Sequence, residues 1–310
     1  MAINRKTNKL PGRRAAGLLA TALMLAAAAP AMGSACLGMQ VHAHRGAASA
    51  PENSLSALRA AYEAGADGVE TDLQMLGDQR WVVHHDLNTG RVVQAGAPRP
   101  VRQLASADWS AARMKLRGVL TDEAPPFAVD LADLAADYPQ QTLNAEIKDL
   151  APCGQVQALV GQLRSAMSHG NWFMTSGAAG NLRCARQADS AGYLGLVVFD
   201  GRNAEAAGAN GLTRLIASKA KAPKLDQAWL ARVKQDIGMP VGVHVDARTL
   251  DANPALLSDA ALMKMPVFVY AVDGDAALAA ALQRSRQHSG RWPSGVIVDE
   301  SAAGFCARLR

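Results

Sequence analysis

Seven polar side chains carry most of the chemistry that this sequence could perform. They lie in or directly after short apolar runs, in the order His44, Arg45, Glu70, Asp72, His85, Glu146 and Lys148. Burying such groups without partners is costly, so their position in apolar runs indicates a bound ion or ligand. Three of them are carboxylates, and no cysteine accompanies them. This donor set suits a divalent cation, Ca²⁺ or Mg²⁺.

The other members of this set have the chemistry of phosphate recognition and proton transfer. Arg45 offers a planar fork to phosphate oxygens, and Lys148 offers a compact positive charge. His44 and His85 can act as general acid and base near neutral pH. Together with a cation, these side chains predict metal-assisted cleavage of a phosphodiester.

The elements that must position these residues alternate between strand-like and helix-like runs. The strand-like runs are 41–45, 69–75, 142–148, 172–176, 194–200, 241–246, 267–273 and 294–299. Stretches rich in Ala and Leu with helical spacing lie between them, at 54–65, 130–138, 155–167, 228–238 and 275–286. This pattern predicts a (β/α)₈ TIM barrel, whose site lies at the C-terminal strand ends. An open doubly wound sheet is the alternative, but no G-x-G-x-x-G follows the first run.

A further strand-like run, 81–86, departs from this alternation. It follows run 69–75 after five residues, which is too short for a parallel crossover and therefore predicts an antiparallel hairpin. A turn at Gly77–Asp78 would place His85 opposite Glu70. The next segment, 87–127, is irregular, basic and proline-containing. We interpret it as a loop insertion that forms a flap near the site mouth.

Five blocks of the sequence match one known family in order and spacing. They are HRG (44–46), PENS (51–54), GADGVETDLQ (65–74), VVHHD (82–86) and AEIK (145–148). With these blocks, the chain from about residue 41 to residue 300 resembles the glycerophosphodiester phosphodiesterase family. The resemblance implies a (β/α)₈ barrel that hydrolyses small-molecule glycerophosphodiesters, such as glycerophosphocholine, to glycerol 3-phosphate and an alcohol.

The resemblance also implies a role for each residue of the site. His44 and His85 would be the acid/base pair, Arg45 and Lys148 would bind substrate, and the metal ligands would be Glu70, Asp72 and Glu146. Near the C-terminus, Tyr270–Asp273 and Val298-Asp299 depart from the family's usual residues. The shape of the alcohol pocket is therefore expected to differ.

Neighbouring polar residues have simpler interpretations. Strand alternation turns His84 away from His85, so we expect it to be structural, and we expect His244 to be packed in the interior. His42 shares a face with His44 and is interpreted as its support. Glu52 and Asn53 either begin the first helix or orient the arginine of the HRG block.

Two rival functions remain open. A phospholipase D-like or sphingomyelinase D-like enzyme acting on intact lipids would need an apolar rim, and segment 87–127 contains only scattered apolar residues. A binding protein or an inactive homologue would not need the catalytic blocks, which are intact here.

Residues 1–35 are interpreted as a signal peptide, and residues 36–310 as one TIM-barrel domain. A basic start precedes the apolar run 15–29, and Pro30 and small residues follow it. Fifteen apolar residues are short for a membrane anchor, which needs about 20. We therefore expect an exported protein, periplasmic or secreted, without a stable membrane span after cleavage. Lipoprotein anchoring at Cys36 and twin-arginine export at Arg13-Arg14 are minor options.

Charge and cysteine content agree with export. The net charge is +5, and residues 1–35 hold five basic and no acidic side chains. The remainder of the chain is therefore balanced, with 27 basic and 27 acidic residues. This balance gives no support for a nucleic-acid partner. Four cysteines beyond residue 35 fit two disulfides. Of the three possible pairings we favour Cys36–Cys306, which would tie the domain ends, together with Cys153–Cys184.

Overall fold

A closed barrel of eight parallel strands lies at the centre of the fold. The computed structural model describes Met1, residues 36–205 and residues 220–310. The barrel strands are β1 (Gln40–His44), β2 (Gly68–Met75), β7 (Thr142–Ile147), β8 (Trp172–Ser176), β9 (Leu194–Val198), β10 (Val241–Asp246), β11 (Val267–Tyr270) and β12 (Gly295–Val298). Each pairs with its neighbour in this order, and β12 pairs with β1 to close the ring. The predicted TIM barrel is therefore confirmed.

Helices surround the barrel and bury their apolar faces against it. They are α1 (Leu55–Glu63), α3 (Ala128–Ala136), α4 (Cys153–Ala166), α5 (Ala179–Ala188), α6 (Gln227–Ile237), α7 (Ala247–Ala252), α8 (Leu256–Leu262), α9 (Asp275–Ser289) and α10 (Ala302–Leu309). The five predicted helical stretches correspond to α1, α3, α4, α6 and α9. Of the helices missed by the prediction, α5 has polar side chains at four of its ten positions, and α7, α8 and α10 each have eight residues or fewer.

Aromatic rings and histidines fill the lower part of the barrel interior. His244 stacks on Phe268 with ring centroids 4.8 Å apart, so the prediction that it is packed is confirmed. A Cβ atom at Gly195 would lie 2.5 Å from the His244 ring, and one at Gly68 would lie 2.8 Å from the His42 ring. These glycines make room for the two imidazoles. The ring neighbours of His42 in the described residues are phenylalanines, so it belongs to this layer.

The predicted hairpin is present, but its register is one residue later than predicted. Strand β3 (Trp81–Val83) runs antiparallel to β2 and pairs Leu73 with Val83. A three-residue turn closes it, in which Leu76 N–H donates to the Arg80 carbonyl. The predicted pairing of Glu70 with His85 is therefore wrong. The ladder ends before it reaches Glu70, which lies beside His44 of β1 and Asn144 of β7 instead.

Segment 87–127 is more ordered than predicted. It contains the three-stranded antiparallel sheet β4 (Val93–Gln94), β5 (Arg113–Leu116) and β6 (Val119–Leu120), a 3₁₀ turn (Val101–Gln103) and α2 (Ser106–Ala111). The segment is not irregular because it has an apolar cluster of its own, while its position as an insertion after the hairpin is as predicted. Trp109 is fully buried in this cluster, and its indole N–H donates to the Pro126 carbonyl at 3.2 Å.

Two disulfides fasten the barrel domain, and both predicted pairings are confirmed. Cys36–Cys306 joins the two ends of the domain, and Cys153–Cys184 joins α4 to α5. The predicted signal peptide lies almost entirely outside the described residues, so it stays a prediction together with the domain boundary. Within the described ranges, no helix is long and apolar enough to cross a membrane.

Candidate active site

The predicted site residues meet at the C-terminal end of the barrel because their strands are neighbours in register. Strand β1 places His44 beside Glu70 of β2, and β2 places Asp72 beside Glu146 of β7. The alternation of side chains along β2 turns both of its carboxylates to the same side. Adjacent parallel strands thus bring together carboxylates that lie up to 76 positions apart in the sequence, at 70 and 146.

Glu70, Asp72 and Glu146 form a compact carboxylate cluster. One oxygen atom from each lies within 4.8 Å of the others. Lys148 lies beside two of them, with its Nζ 3.2 Å from Asp72 Oδ1 and 3.1 Å from Glu146 Oε1. Arg45 approaches the same group, with its Nε 3.2 Å from Asp72 Oδ2.

These contacts act differently on the carboxyl groups. Burial and the nearby charges of Asp72 and Glu146 raise the pKa of Glu70 well above its ordinary value. Burial also opposes ionisation of Asp72, but Lys148 and Arg45 outweigh it and lower the pKa of Asp72. Glu70 Oε2 is buried and has no hydrogen-bond partner in the described parts of the chain. A buried acceptor of this kind fits a bound cation, because it otherwise costs free energy.

His44 connects this cluster to a residue that the sequence interpretation did not include. Its Nδ1 lies 2.7 Å from Asp299 Oδ1, and its Nε2 lies 4.0 Å from Glu70 Oε2. The hydrogen bond with His44 lowers the pKa of Asp299. A carboxylate at Nδ1 favours the proton on that nitrogen and leaves Nε2 as the acceptor that faces the cluster.

His85 has the same arrangement on the other side of the site. Its Nδ1 lies 2.9 Å from Asp86 Oδ1. The buried Gln74 amide donates to the carbonyls of His84 and Asp86, both at 2.8 Å, and so fixes the backbone around His85. The His84 backbone N–H also donates to the Asp72 carbonyl at 2.9 Å, which holds this segment beside β2. His84 itself is buried against Trp109, in agreement with its structural interpretation.

A chain of ion pairs links the two histidine regions through the insertion. Arg91 contacts Asp86, with Nε 2.6 Å from Oδ2, and also binds Glu52, with NH1 2.7 Å from Oε2. Glu52 in turn accepts from Arg45 NH1 at 3.0 Å. Of the two interpretations of Glu52, the contacts favour orientation of the arginine. Asn53 braces the site as well, and its amide donates to Asp72 Oδ2 at 2.8 Å.

The backbone of the HRG block is bent sharply where the strand ends. Strand β1 stops at His44, one residue earlier than predicted, because Arg45 has a φ of +58°. Gly46 has a φ of +91°, and a Cβ atom there would lie 2.6 Å from the Ala57 carbonyl carbon. A side chain at this position would collide with the first helix. The glycine therefore lets the loop pack on α1 and turns Arg45 toward Asp72.

Three residues of the site were missed by the sequence interpretation. Asp299 ends a strand-like run, so the rule that sites lie at C-terminal strand ends could have found it. Asp86 directly follows His85 and was open to the same argument. Arg91 lies in the insertion, where no pattern in the sequence indicates its contacts.

A family model covers nearly all of this barrel. The model of the glycerophosphoryl diester phosphodiesterase family matches residues 44–302, which begin at His44 and extend past Asp299. The chain belongs to this family. The predicted family resemblance is therefore confirmed, and the matched range contains all seven predicted site residues.

Solved structures of other members share the fold of this family member. A Silicibacter pomeroyi protein, provisionally assigned as a glycerophosphoryl diester phosphodiesterase, is 20% identical, with 87% of this chain and 92% of that chain covered and a TM-score of 0.65. An Oleispira antarctica phosphodiesterase, solved in complex with the product sn-glycerol-3-phosphate, is 19% identical, with 87% and 96% covered and a TM-score of 0.63. At these identities the likeness shows the fold alone.

One curated relative matches a short stretch more closely. The uncharacterized protein YqiK of Bacillus subtilis (strain 168) is 47% identical over 53 residues, which are 17% of this chain and 22% of that protein. The match thus spans less than a quarter of the relative.

Proposed function

We propose that this family member is a metal-dependent enzyme that hydrolyses glycerophosphodiesters to glycerol 3-phosphate and an alcohol. The observation that carries the proposal is the position of His44, whose Nδ1 is held by Asp299 while its Nε2 faces the carboxylate cluster 4.0 Å from Glu70. The Oleispira antarctica relative with bound sn-glycerol-3-phosphate supports the choice of product.

Glu70, Asp72 and Glu146 are the side chains that would hold a divalent cation, Ca²⁺ or Mg²⁺. One oxygen from each lies within 4.8 Å of the others, and the buried Glu70 Oε2 has no hydrogen-bond partner in the described residues. All three donors are carboxylates, which suit hard cations. A bound cation would neutralise charge on the phosphate.

The remaining side chains supply binding and proton transfer. Arg45 and Lys148 each lie within 3.2 Å of Asp72, at the edge of the cluster, and would bind phosphate oxygens. One histidine of the pair His44 and His85 would remove a proton from the attacking group, and the other would donate a proton to the departing alcohol. The attacking group is water or the neighbouring glycerol hydroxyl. Trapping of a cyclic phosphate would identify the second route.

The direct test is an assay of residues 36–310 on glycerophosphoglycerol, first with a chelator and then with Ca²⁺ or Mg²⁺ restored. We expect metal-dependent release of glycerol 3-phosphate and a loss of kcat of about 10²–10⁴-fold in His44→Ala. His288→Ala, near the end of α9 and far from β1 in the chain, is the matched control and should retain activity. Unchanged turnover in His44→Ala, or full activity in chelator, would refute the proposed mechanism.

We also propose that the enzyme acts outside the cytoplasm, in the periplasm or as a secreted protein. Two disulfides support this location because such bonds persist in oxidising compartments. Detection of the mature protein in a periplasmic or culture-medium fraction, with an N-terminus near Cys36, would test it.

A second candidate function is the cleavage of intact lipids. Exposed apolar side chains follow the C-terminal ends of barrel strands, where the site lies. Leu150 comes after β7 and is 73% exposed, and Phe199 comes after β9 and is 71% exposed. Exposed apolar groups at a site mouth are typical of contact with lipid. Activity on phospholipid vesicles that exceeds activity on soluble deacylated diesters would favour this candidate.

A further inference from the structure

A pocket of about 480 Å³ opens beside His44, and the described residues that line it do not include the three carboxylates of the cluster. Its volume lies in the range of small-molecule sites, roughly 300–1,000 Å³. Three parts of the chain line it: the β1–α1 loop from His44 to Glu52, the insertion at Arg91–Val92 and at 115–118, and Asp299. Because His44 and Arg45 belong both to this lining and to the catalytic site, a substituent of a phosphate bound at Arg45 can extend into the pocket.

The lining carries an excess of positive charge that is concentrated on the insertion. Its two carboxylates are already engaged, Glu52 with the arginines of the lining and Asp299 with His44. Lys115 and Arg117 remain, and no carboxylate of the described residues lies within ion-pair distance of either. The Lys115 ammonium donates to the Gly90 carbonyl at 2.9 Å, which leaves its other protons free to bind a ligand.

The position of Arg117 also suits contact with a ligand. It lies in the β5–β6 turn with a φ of +51°, followed by Gly118 with a φ of +83°. Both residues of this tight turn line the pocket, so the turn faces the cavity. The Lys115 side chain comes from the strand that leads into the same turn. The two cations therefore both come from the insertion, whereas His44 and Asp299 come from the C-terminal ends of barrel strands.

The lining lacks what a cationic headgroup would need. Quaternary ammonium groups such as choline are recognised on aromatic faces. Among the described residues that line the pocket there is no Phe, Tyr or Trp, and the apolar members are small or aliphatic, such as Ala47, Pro51 and Val92. A choline group here would have no aromatic face and would meet two unpaired positive charges. This disagrees with glycerophosphocholine as the preferred substrate.

We propose that this pocket is the headgroup subsite, and that Lys115 and Arg117 select diesters whose headgroup carries a second anionic phosphate. The proposal rests on the proposed phosphodiesterase function and names its substrate class. The two side chains act on binding of the headgroup, so they change KM for anionic substrates and leave proton transfer at the histidines unaltered.

The test compares three diesters that share the glycerol 3-phosphate half. The headgroup is anionic in bis(glycerophospho)glycerol, neutral in glycerophosphoglycerol and cationic in glycerophosphocholine. After correction for its two scissile ends, we expect the anionic diester to have a KM about tenfold below that of the choline diester, which corresponds to about 1.4 kcal/mol. Raising the salt concentration should reduce this advantage because the two cations are near the surface.

Charge reversal then tests the two residues. Lys115→Glu combined with Arg117→Glu should raise KM for the anionic diester about tenfold or more, and should raise KM for the neutral glycerophosphoglycerol by a clearly smaller factor. Arg102→Glu combined with Arg113→Glu is the matched control, since both arginines are exposed in the same insertion and lie outside the pocket lining. This control should leave the KM values of all three diesters unchanged.

The outcomes separate this proposal from the function on which it rests. Two results would overturn the subsite proposal and leave the phosphodiesterase function standing. In one, glycerophosphoglycerol is cleaved but the three diesters have equal KM values. In the other, the charge-reversed variant has the wild-type KM for the anionic diester. If none of the three diesters is cleaved by the metal-loaded protein, the proposed function fails and the subsite proposal fails with it.

Discussion

Replacement of Glu70 by Gln should stabilise the metal-free protein while it weakens metal binding. Glu70 is only 4% exposed, and burial, Asp72 and Glu146 raise its pKa well above the ordinary 4.5. A carboxyl group whose folded pKa is raised costs no stability below its unfolded pKa. As the pH rises above 4.5, that cost grows by about 1.4 kcal/mol per pH unit until the folded pKa is reached. Glutamine resembles the neutral acid in size and carries no charge, so Glu70→Gln removes the cost.

The expected size follows from these values. At pH 5.5, one unit above 4.5, Glu70→Gln in chelator should be more stable than the wild type by about 1 kcal/mol. For a domain of this length that difference raises Tm by roughly 2–4 °C. Addition of Ca²⁺ or Mg²⁺ at a hundredfold excess over Kd should stabilise the wild type by about 2.7 kcal/mol and raise its Tm accordingly. The Tm of the variant should rise less.

Thermal unfolding between pH 4.5 and 8, with chelator and with metal, measures both effects. Glu63→Gln, at an exposed position of α1, is the matched control and should change neither. A variant that is less stable than the wild type in chelator, or a stability difference that does not change with pH, would refute the argument that Glu70 is a buried and repelled carboxyl group.

Three further predictions concern other parts of the fold. Burial lowers the pKa of His244 to about 3 from 6.5, so the wild type loses stability as the pH falls below 6.5. His244→Gln lacks this titration. In urea titrations, its free energy of unfolding should therefore fall by about 2 kcal/mol less than that of the wild type between pH 7 and pH 5. The Cys36–Cys306 disulfide closes a loop of 270 residues, and the α4–α5 disulfide closes one of 31. The longer loop restricts the unfolded chain more. Replacing the first pair by serine should therefore lower the free energy of unfolding by about 2 kcal/mol more than replacing the second pair. Asp299→Asn removes the carboxylate at His44 Nδ1 and should lower kcat by about 10–10³-fold. Because Asp299 is exposed, the change should shift the free energy of unfolding by less than about 0.5 kcal/mol. An unchanged kcat would contradict the role of this contact.

The strands and their order were accessible from the sequence because their signal is local. Runs rich in β-branched residues separated by helical spacing give eight strands, and parallel strands joined by helices close into a barrel with the site at one end. The carboxylates of the cluster were found in the same way. Glu70 and Asp72 share a face by alternation, and Glu146 lies at the matching end of the neighbouring strand.

The register of the hairpin and the order within the insertion were not accessible in this way. The hairpin register depends on whether two or three residues form the turn after Leu76, and a change of one residue moves every cross-strand partner. The insertion is ordered because Trp109 gathers side chains from both ends of the segment into a small core. Contacts of that kind have no fixed spacing in the sequence.

The sequence by itself therefore determined the barrel, the family blocks and the seven residues that could do chemistry, since each of these depends on local pattern. Only the tertiary structure decided how they are held. Asp299 reaches His44 from the last strand, and Arg91 of the insertion joins Asp86 to Glu52. The side chains at the headgroup pocket come from positions as far apart as 44, 117 and 299. Closure of the barrel and folding of the insertion bring them together, because both depend on packing between segments that are distant along the chain.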